Sequence, residues 1–122
     1  MKEQWTGIPK ATEFEIRADS ARPDTISYMK NHGFGRIVPA TKGPDSLIDG
    51  VSFLQSYNII VHPRCKHTID ELRHYSYKID ELTDEPTSVL ADKKNHVIDS
   101  VRYALENVRK RHVAHTQAGL PI

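Results

Sequence analysis

Apolar and polar residues alternate in TEFEIRAD, with Phe14, Ile16 and Ala18 on one side and Glu13, Glu15, Arg17 and Asp19 on the other. A period of two marks a half-buried strand. In SARPDTISYMKNHG the period becomes helical: Ile26 and Met29 share a stripe, Pro23 sets the first turn and Gly33 supplies the stop. GRIVPATKG reads as a short strand running into a glycine turn. PDSLIDGVSFLQSYN is helical again, with Leu47, Ile48, Val51 and Leu54 inward and Asp45 or Ser46 as cap. NIIVHP, closed by Pro63, has the pattern of a buried strand in a parallel sheet. HTIDELRHYSYK opens with a capping box, Thr68 with Glu71, and its helix turns Ile69, Leu72 and Tyr75 inward. SYKIDELTDEPTSVLAD holds an acidic turn between two β-compatible runs, a hairpin. A last helix is expected from Lys93 to Arg111, with Val97, Val101, Ala104, Leu105 and Val108 as its inward stripe. Strands alternating with helices in this order predict an α/β layer with a mostly parallel sheet.

At 122 residues the chain suits a single domain, 1–122, whose ends at 1–11 and 112–122 are loosely ordered. Hydrophobic residues make up 38% and charged residues 27%, which excludes a mainly disordered chain. No apolar run approaches the roughly 20 residues that span a bilayer, so no membrane partner is expected. MKEQWTGIPKATEFEIR has no apolar segment of the secretory kind, and Cys65 is the lone cysteine. A reducing, cytoplasmic setting follows as the expectation. Cys65 has no partner at metal-ligand spacing and reads as a buried or half-buried thiol. The 17 basic and 16 acidic residues nearly cancel, so only their distribution informs. VHPRCKH and ENVRKRHVAH gather positive and titratable groups that suit a polyanion, or equally a solvated helix end.

Three residues carry candidate chemistry. Ligands of open α/β sheets gather where strands end, and Asp19 closes the first strand; alone, it reads equally as a turn former before Pro23. His96 and Asp99 stand three residues apart and project from one helical face, either as ligands or as a polar flank. Together, two carboxylates and an imidazole suit Mg²⁺ or Mn²⁺, which would serve phosphodiester hydrolysis.

The segment DKKNHVIDSVRYAL resembles the C-terminal signature of the tailed-phage terminase large subunit, through Asp92, Asn95, His96, Asp99, Arg102, Tyr103 and Ala104. RADSARPDTISYMKNHGF, ATKGPDSLIDGVSFLQSYNIIVHPRC and TIDELRHYSYK match upstream pieces in the same order, so the likeness covers residues 13 to 108. The resemblance implies an RNase H-like nuclease domain of α/β class: an incomplete three-layer arrangement of mostly parallel strands and flanking helices, with a β-hairpin before the last helix. It implies metal-dependent endonucleolytic cleavage of concatemeric viral DNA during packaging in the bacterial host. By position, Asp19 would be the second metal-binding acid, Asp99 the third, and His96 an auxiliary ligand or one that orients a ligand. Asp92 would cap the helix or support the ligands from behind. Lys42, Arg64 and Lys66 are candidate DNA contacts, although a plain exposed turn serves as well for Lys42. Double-stranded DNA, a small terminase subunit and a portal would be the partners.

The same resemblance exposes a gap. The family core begins with three antiparallel strands, the first bearing an aspartate that bridges two metals, and only 18 residues precede Asp19. Glu15 cannot replace it, because four strand residues span roughly 13 Å whereas paired catalytic metals lie about 3.5–4 Å apart. A partial domain is therefore expected, with weak metal binding and little cleavage. No phosphate-cradling G-x-x-x-x-G-K-[ST] loop occurs either. The uncovered edge of the first strand would invite a second copy of the chain. Two other readings stay open: a non-catalytic module that binds DNA or a packaging protein, and a flavodoxin-like small-molecule binder with Asp19 at the switch point. The latter lacks a glycine-rich phosphate loop.

Overall fold

The computed structural model describes residues 7–44, 46–91, 93 and 95–118, with residues 116–118 as backbone only. The chain divides into two compact units, Met1–Tyr57 with Arg102–Ile122 and Asn58–Val101. Among the described residues no helix is long and apolar enough to cross a membrane.

In the first unit, β1 (Ile16–Ala18) pairs in parallel with β2 (Ile37–Pro39), in the register Ile16 to Ile37, Arg17 to Val38 and Ala18 to Pro39. Helix α1 (Pro23–Asn31) connects them, with Pro23 in its first turn as expected. Its end is fixed by local chemistry. Gly33 takes φ +102°, a conformation that side chains resist. This lets the amide of Phe34 reach back to the carbonyl of Met29 at 3.1 Å. The same turn brings Phe34 onto Met29, and with Ile37 these form the buried core, flanked by Ala11, Ile16, Ala18 and Ile26. Polar satisfaction and apolar burial thus come from one helix stop.

The first strand is shorter than its alternation predicts. Residues 7–13 form turns, tied by the Glu13 amide on the Lys10 carbonyl, and Phe14 is exposed rather than inward. Helix α2 (Ser46–Gln55) forms where expected; Asp45, one candidate cap, lies outside the described residues. Leu47, Val51 and Leu54 are half-buried, but Ile48 is exposed and Gly50 is the buried position. A Cβ at Gly50 would meet Arg102 Cδ at 2.7 Å, so glycine there lets the arginine stem lie across the helix.

In the second unit, residues 58–61 form no strand, and Ile60 is 89% exposed. The expected buried strand is therefore absent: apolar composition cannot replace a hydrogen-bonded neighbour, and none of the described strands pairs with this run. Helix α3 (Lys66–His74) starts two residues before Thr68, with Cys65 at its N-cap and no side-chain capping bond. The capping box is thus not made. Ile69 and Tyr75 are half-buried while Leu72 is exposed. Strands β3 (Tyr77–Ile79) and β4 (Pro86–Leu90) form the antiparallel hairpin that the sequence predicts. Asp80 fixes its turn by accepting the Leu82 amide at 2.8 Å, and Asp84 adopts φ +57°.

The last helical stretch departs from expectation in four ways. It begins at His96 rather than Lys93, and it breaks at Leu105 into α4 (His96–Ala104) and α5 (Glu106–Ala118). Residues 112–118 are helical where a loose end was expected. The buried stripe is also rotated. Asn95, Ile98, Tyr103 and Glu106 are buried with Asp99 and Arg102 half-buried, whereas Val101 and Ala104 face solvent.

Candidate functional site

Asp19 follows β1 directly, and its carboxylate is occupied twice. Oδ1 accepts the Ala21 amide at 2.9 Å, the turn-forming role that its place before Pro23 suggested. The same oxygen takes the Lys42 ammonium at 2.5 Å. Two residues singled out separately in the sequence thus meet in one ion pair. The pair is open to solvent, with side-chain exposures of 52% for Asp19 and 43% for Lys42. Lys42 also stands 5.8 Å from the centre of the Tyr103 ring, within the range of a cation–π contact.

The loop that delivers Lys42 is held on both sides. The Ala40 amide extends the β1–β2 ladder by donating to the Ala18 carbonyl at 2.7 Å. The Thr41 amide donates to both carboxylate oxygens of Glu106, at 3.2 and 3.0 Å. Glu106 is itself buried and pairs with Arg17 of β1, which also reaches Glu15 at 2.7 Å. Strand, loop and helix start therefore converge on one carboxylate.

Electrostatics follow from this geometry. The Lys42 hydrogen bond, and after it the Ala21 amide, hold the Asp19 carboxyl below the usual carboxylate range, with the Lys42 and Arg102 charges adding to the effect. Asp19 reciprocally raises Lys42. A depressed carboxyl favours the folded chain above its unfolded value, near 3.9, and that contribution is lost as pH falls through the folded value. In a carbon-detected NMR titration, Asp19 is expected to have a midpoint below that of an ordinary aspartate. Lys42→Ala should move the midpoint upward. An unchanged midpoint would show that the ion pair does not form in solution.

His96 and Asp99 belong to the second unit, on the first turns of α4. His96 is exposed. Asp99 is half-buried, and its amide donates to the Asn95 carbonyl at 2.8 Å. The helix start is capped from outside. Glu71 of α3 is 7% exposed, and its Oε2 accepts the amides of Val97 at 2.7 Å and Ile98 at 3.0 Å. The first turn of α4, which carries both candidate ligands, is thereby tied to α3.

Arg64 and Lys66 are exposed on either side of Cys65 at the start of α3. Cys65, at the N-cap of α3, is exposed as well, correcting the expectation of a buried or half-buried thiol. Asp92 lies outside the described residues. Among the described residues no group of three or more His, Cys, Asp or Glu side chains could hold a metal ion. Sequence reasoning missed Glu106, hidden in a segment read for its positive charge. It also found Glu71 but assigned it to Thr68 of its own helix.

A family model for the terminase RNase H-like domain matches residues 10–107. The chain is 39% identical over 99 residues to the terminase large subunit of Bacillus phage SPP1, a match covering 79% of this chain and 23% of that protein. It is 32% identical over 100 residues to the PBSX phage terminase large subunit of Bacillus subtilis strain 168, covering 79% and 22%. The chain therefore spans less than a quarter of these relatives. Among solved structures, the crystal structure of the g2p large terminase nuclease domain from SPP1 with bound Mn superposes with a TM-score of 0.77 at 34% identity. That match covers 87% of this chain and 62% of the other.

Proposed function

The chain belongs to the terminase RNase H-like domain family, and from that premise we propose that it serves in the nuclease domain of a phage DNA-packaging terminase large subunit. Its fold is RNase H-like, an incomplete α/β arrangement of helices and small sheets. The substrate is double-stranded concatemeric DNA in the host cytoplasm, and the chemistry is hydrolysis of a phosphodiester with Mg²⁺ or Mn²⁺. The small terminase subunit and portal are its packaging partners.

The observation that carries this reading is the stand-in cation at Asp19. A carboxylate at a strand end, half-exposed and already closed upon by an ammonium group, suits a hard divalent ion. Asp19, Asp99 and His96 are the residues that would hold metal, in an oxygen and imidazole set matching such ions. Bound there, divalent ions supply positive charge for phosphodiester hydrolysis and acidify the attacking water. The chain's own part is to hold these donors: β1 and the Ala21 amide orient Asp19, and Glu71 fixes the turn that presents His96 and Asp99. Arg64 and Lys66 offer exposed positive charge to the phosphate backbone.

Because no three such donors gather among the described residues, plasmid nicking in Mn²⁺ is expected to be slow or undetectable, with any residual cleavage lost in Asp19→Ala and Asp99→Ala. Robust cleavage abolished in both variants would overturn the view that the metal cluster is partial. Salt-sensitive DNA binding that needs no metal and is untouched in both variants would replace the nuclease reading with a non-catalytic DNA-binding module.

A further inference from the structure

We infer that the side of α5 turned away from α2 is a further DNA contact, where Lys110, Arg111 and His115 lie against the sugar-phosphate backbone. The inference rests on the chain meeting DNA, as proposed above, but not on any residue holding metal.

The basic run ENVRKRHVAH suits a polyanion or a solvated helix end, and the form of α5 separates the two. A helix dipole favours cations only in the last turn. The last turn of α5 holds His115, whereas Arg109, Lys110 and Arg111 sit in its middle. The helix has one acid, Glu106, and that carboxylate is buried and paired with Arg17. Its exposed length therefore carries positive charge with no acid of its own to offset it. Contacts with α2 fix how the helix is turned. Arg109 reaches Asp49 at 4.0 Å, and the His112 ring stands 6.0 Å from that of Phe53. With about 100° between successive residues, Arg109 and His112 share the side that meets α2, while Lys110 and Arg111 turn to the other. His115 stands one turn beyond Arg111 on the same stripe. Residues 110–115 are all exposed.

This layout selects a polymer over a single ion, because Lys110 and His115 are separated by roughly 7.5 Å of helix rise, more than one phosphate group spans. It also selects nucleic acid over an acidic protein. Protein interfaces close around an apolar centre, and Val113 and Ala114 are the apolar residues of this exposed stretch. Protein–DNA interfaces are instead polar and strongly positive. The family match ends at residue 107, so Lys110, Arg111 and His115 take no role from it.

The test follows the fluorescence anisotropy of a labelled DNA duplex titrated with the whole chain over a salt series, in EDTA and in Ca²⁺. Lys110→Gln with Arg111→Gln removes two phosphate contacts, so the slope of log affinity against log salt should fall by about two. The loss should be equal for duplexes of unrelated sequence, and equal with and without Ca²⁺. Charge reversal, Lys110→Glu with Arg111→Glu, should weaken binding further, at an unchanged urea midpoint. In the wild-type chain, the duplex should shift the Arg111 Nε resonance, a readout that needs no variant. An Arg111 signal unmoved at saturation, or an unchanged salt slope in the charge-reversed chain, would overturn the inference. So would a wild-type chain that leaves the duplex unbound at low salt, or poly-glutamate competing as well as DNA does. The nuclease reading fails by a different result: Ca²⁺ adds nothing to affinity and Asp19→Ala and Asp99→Ala change nothing, whatever the α5 variants do.

Discussion

Glu106→Ala is expected to cost about 3–5 kcal/mol of folding stability, the range for removing one partner of a buried ion pair, read as a fall in the urea midpoint at unchanged slope. The reason is what the substitution leaves behind. Glu106 is 4% exposed and Arg17 only 14%, so water cannot readily replace the lost carboxylate. An uncompensated guanidinium would remain beside β1, and the Thr41 amide would lose both of its acceptor oxygens. Domains of this size have only about 5–15 kcal/mol in hand, so the variant should be close to unfolding. Glu106→Gln separates charge from hydrogen bonding: it keeps an acceptor for Thr41 but not the ionic partner of Arg17, and should fall between alanine and wild type. The double variant Arg17→Met with Glu106→Leu should recover much of the loss, because replacing both members of a buried pair by apolar groups is often neutral. Equal stability of Glu106→Ala and wild type would show that Glu106 does not join strand, loop and helix in solution.

This carboxylate also marks the limit of what the sequence discloses. Local rules found α1, because Pro23 and Gly33 set its ends within a dozen residues of one another and need no distant partner. They found the hairpin too, since its strands are close in sequence. Asp19 and Lys42 were both legible as residues of interest, but their meeting was not: they lie 23 positions apart and are joined by a parallel ladder whose register no single segment encodes. The NIIV run was misread because hydrophobicity records what a segment can bury, not whether a strand lies beside it. The rotated stripe of α4 has a related cause. Val101 and Ala104 look inward by composition, yet they are exposed, while Asn95 and Glu106 are buried and Asp99 and Arg102 half-buried. Where a core is built partly from paired charges, apolar periodicity points a residue or so away from the true face. The break at Leu105 likewise has no glycine or proline to announce it; what accompanies it is the engagement of Glu106 by Arg17 and Thr41.

Glu71→Ala is expected to cost about 2–3 kcal/mol, the scale of hydrogen bonds to a charged acceptor with buried donors left behind. Its effect should be concentrated at the start of α4. The first amides of any helix lack partners within it, and an N-cap side chain ordinarily supplies them. Here the amides of Val97 and Ile98 are taken by a carboxylate from another helix, which adds a favourable charge at the positive end of the helix dipole. Ile98 is 5% exposed, so its amide would not be rehydrated when the acceptor disappears. Hydrogen exchange should therefore accelerate at Val97, Ile98 and Asp99 more than at the α1 amides, which use no part of this cap. Glu71→Gln retains an acceptor oxygen without the charge and should lose less, with a smaller acceleration at the same amides. The functional consequence follows from position rather than contact. His96 and Asp99 ride on the turn that Glu71 fastens, so loosening it should broaden their resonances even where the global fold persists. If exchange rises uniformly across the chain, or not at all, Glu71 is a general packing residue rather than the fastener of the ligand-bearing turn.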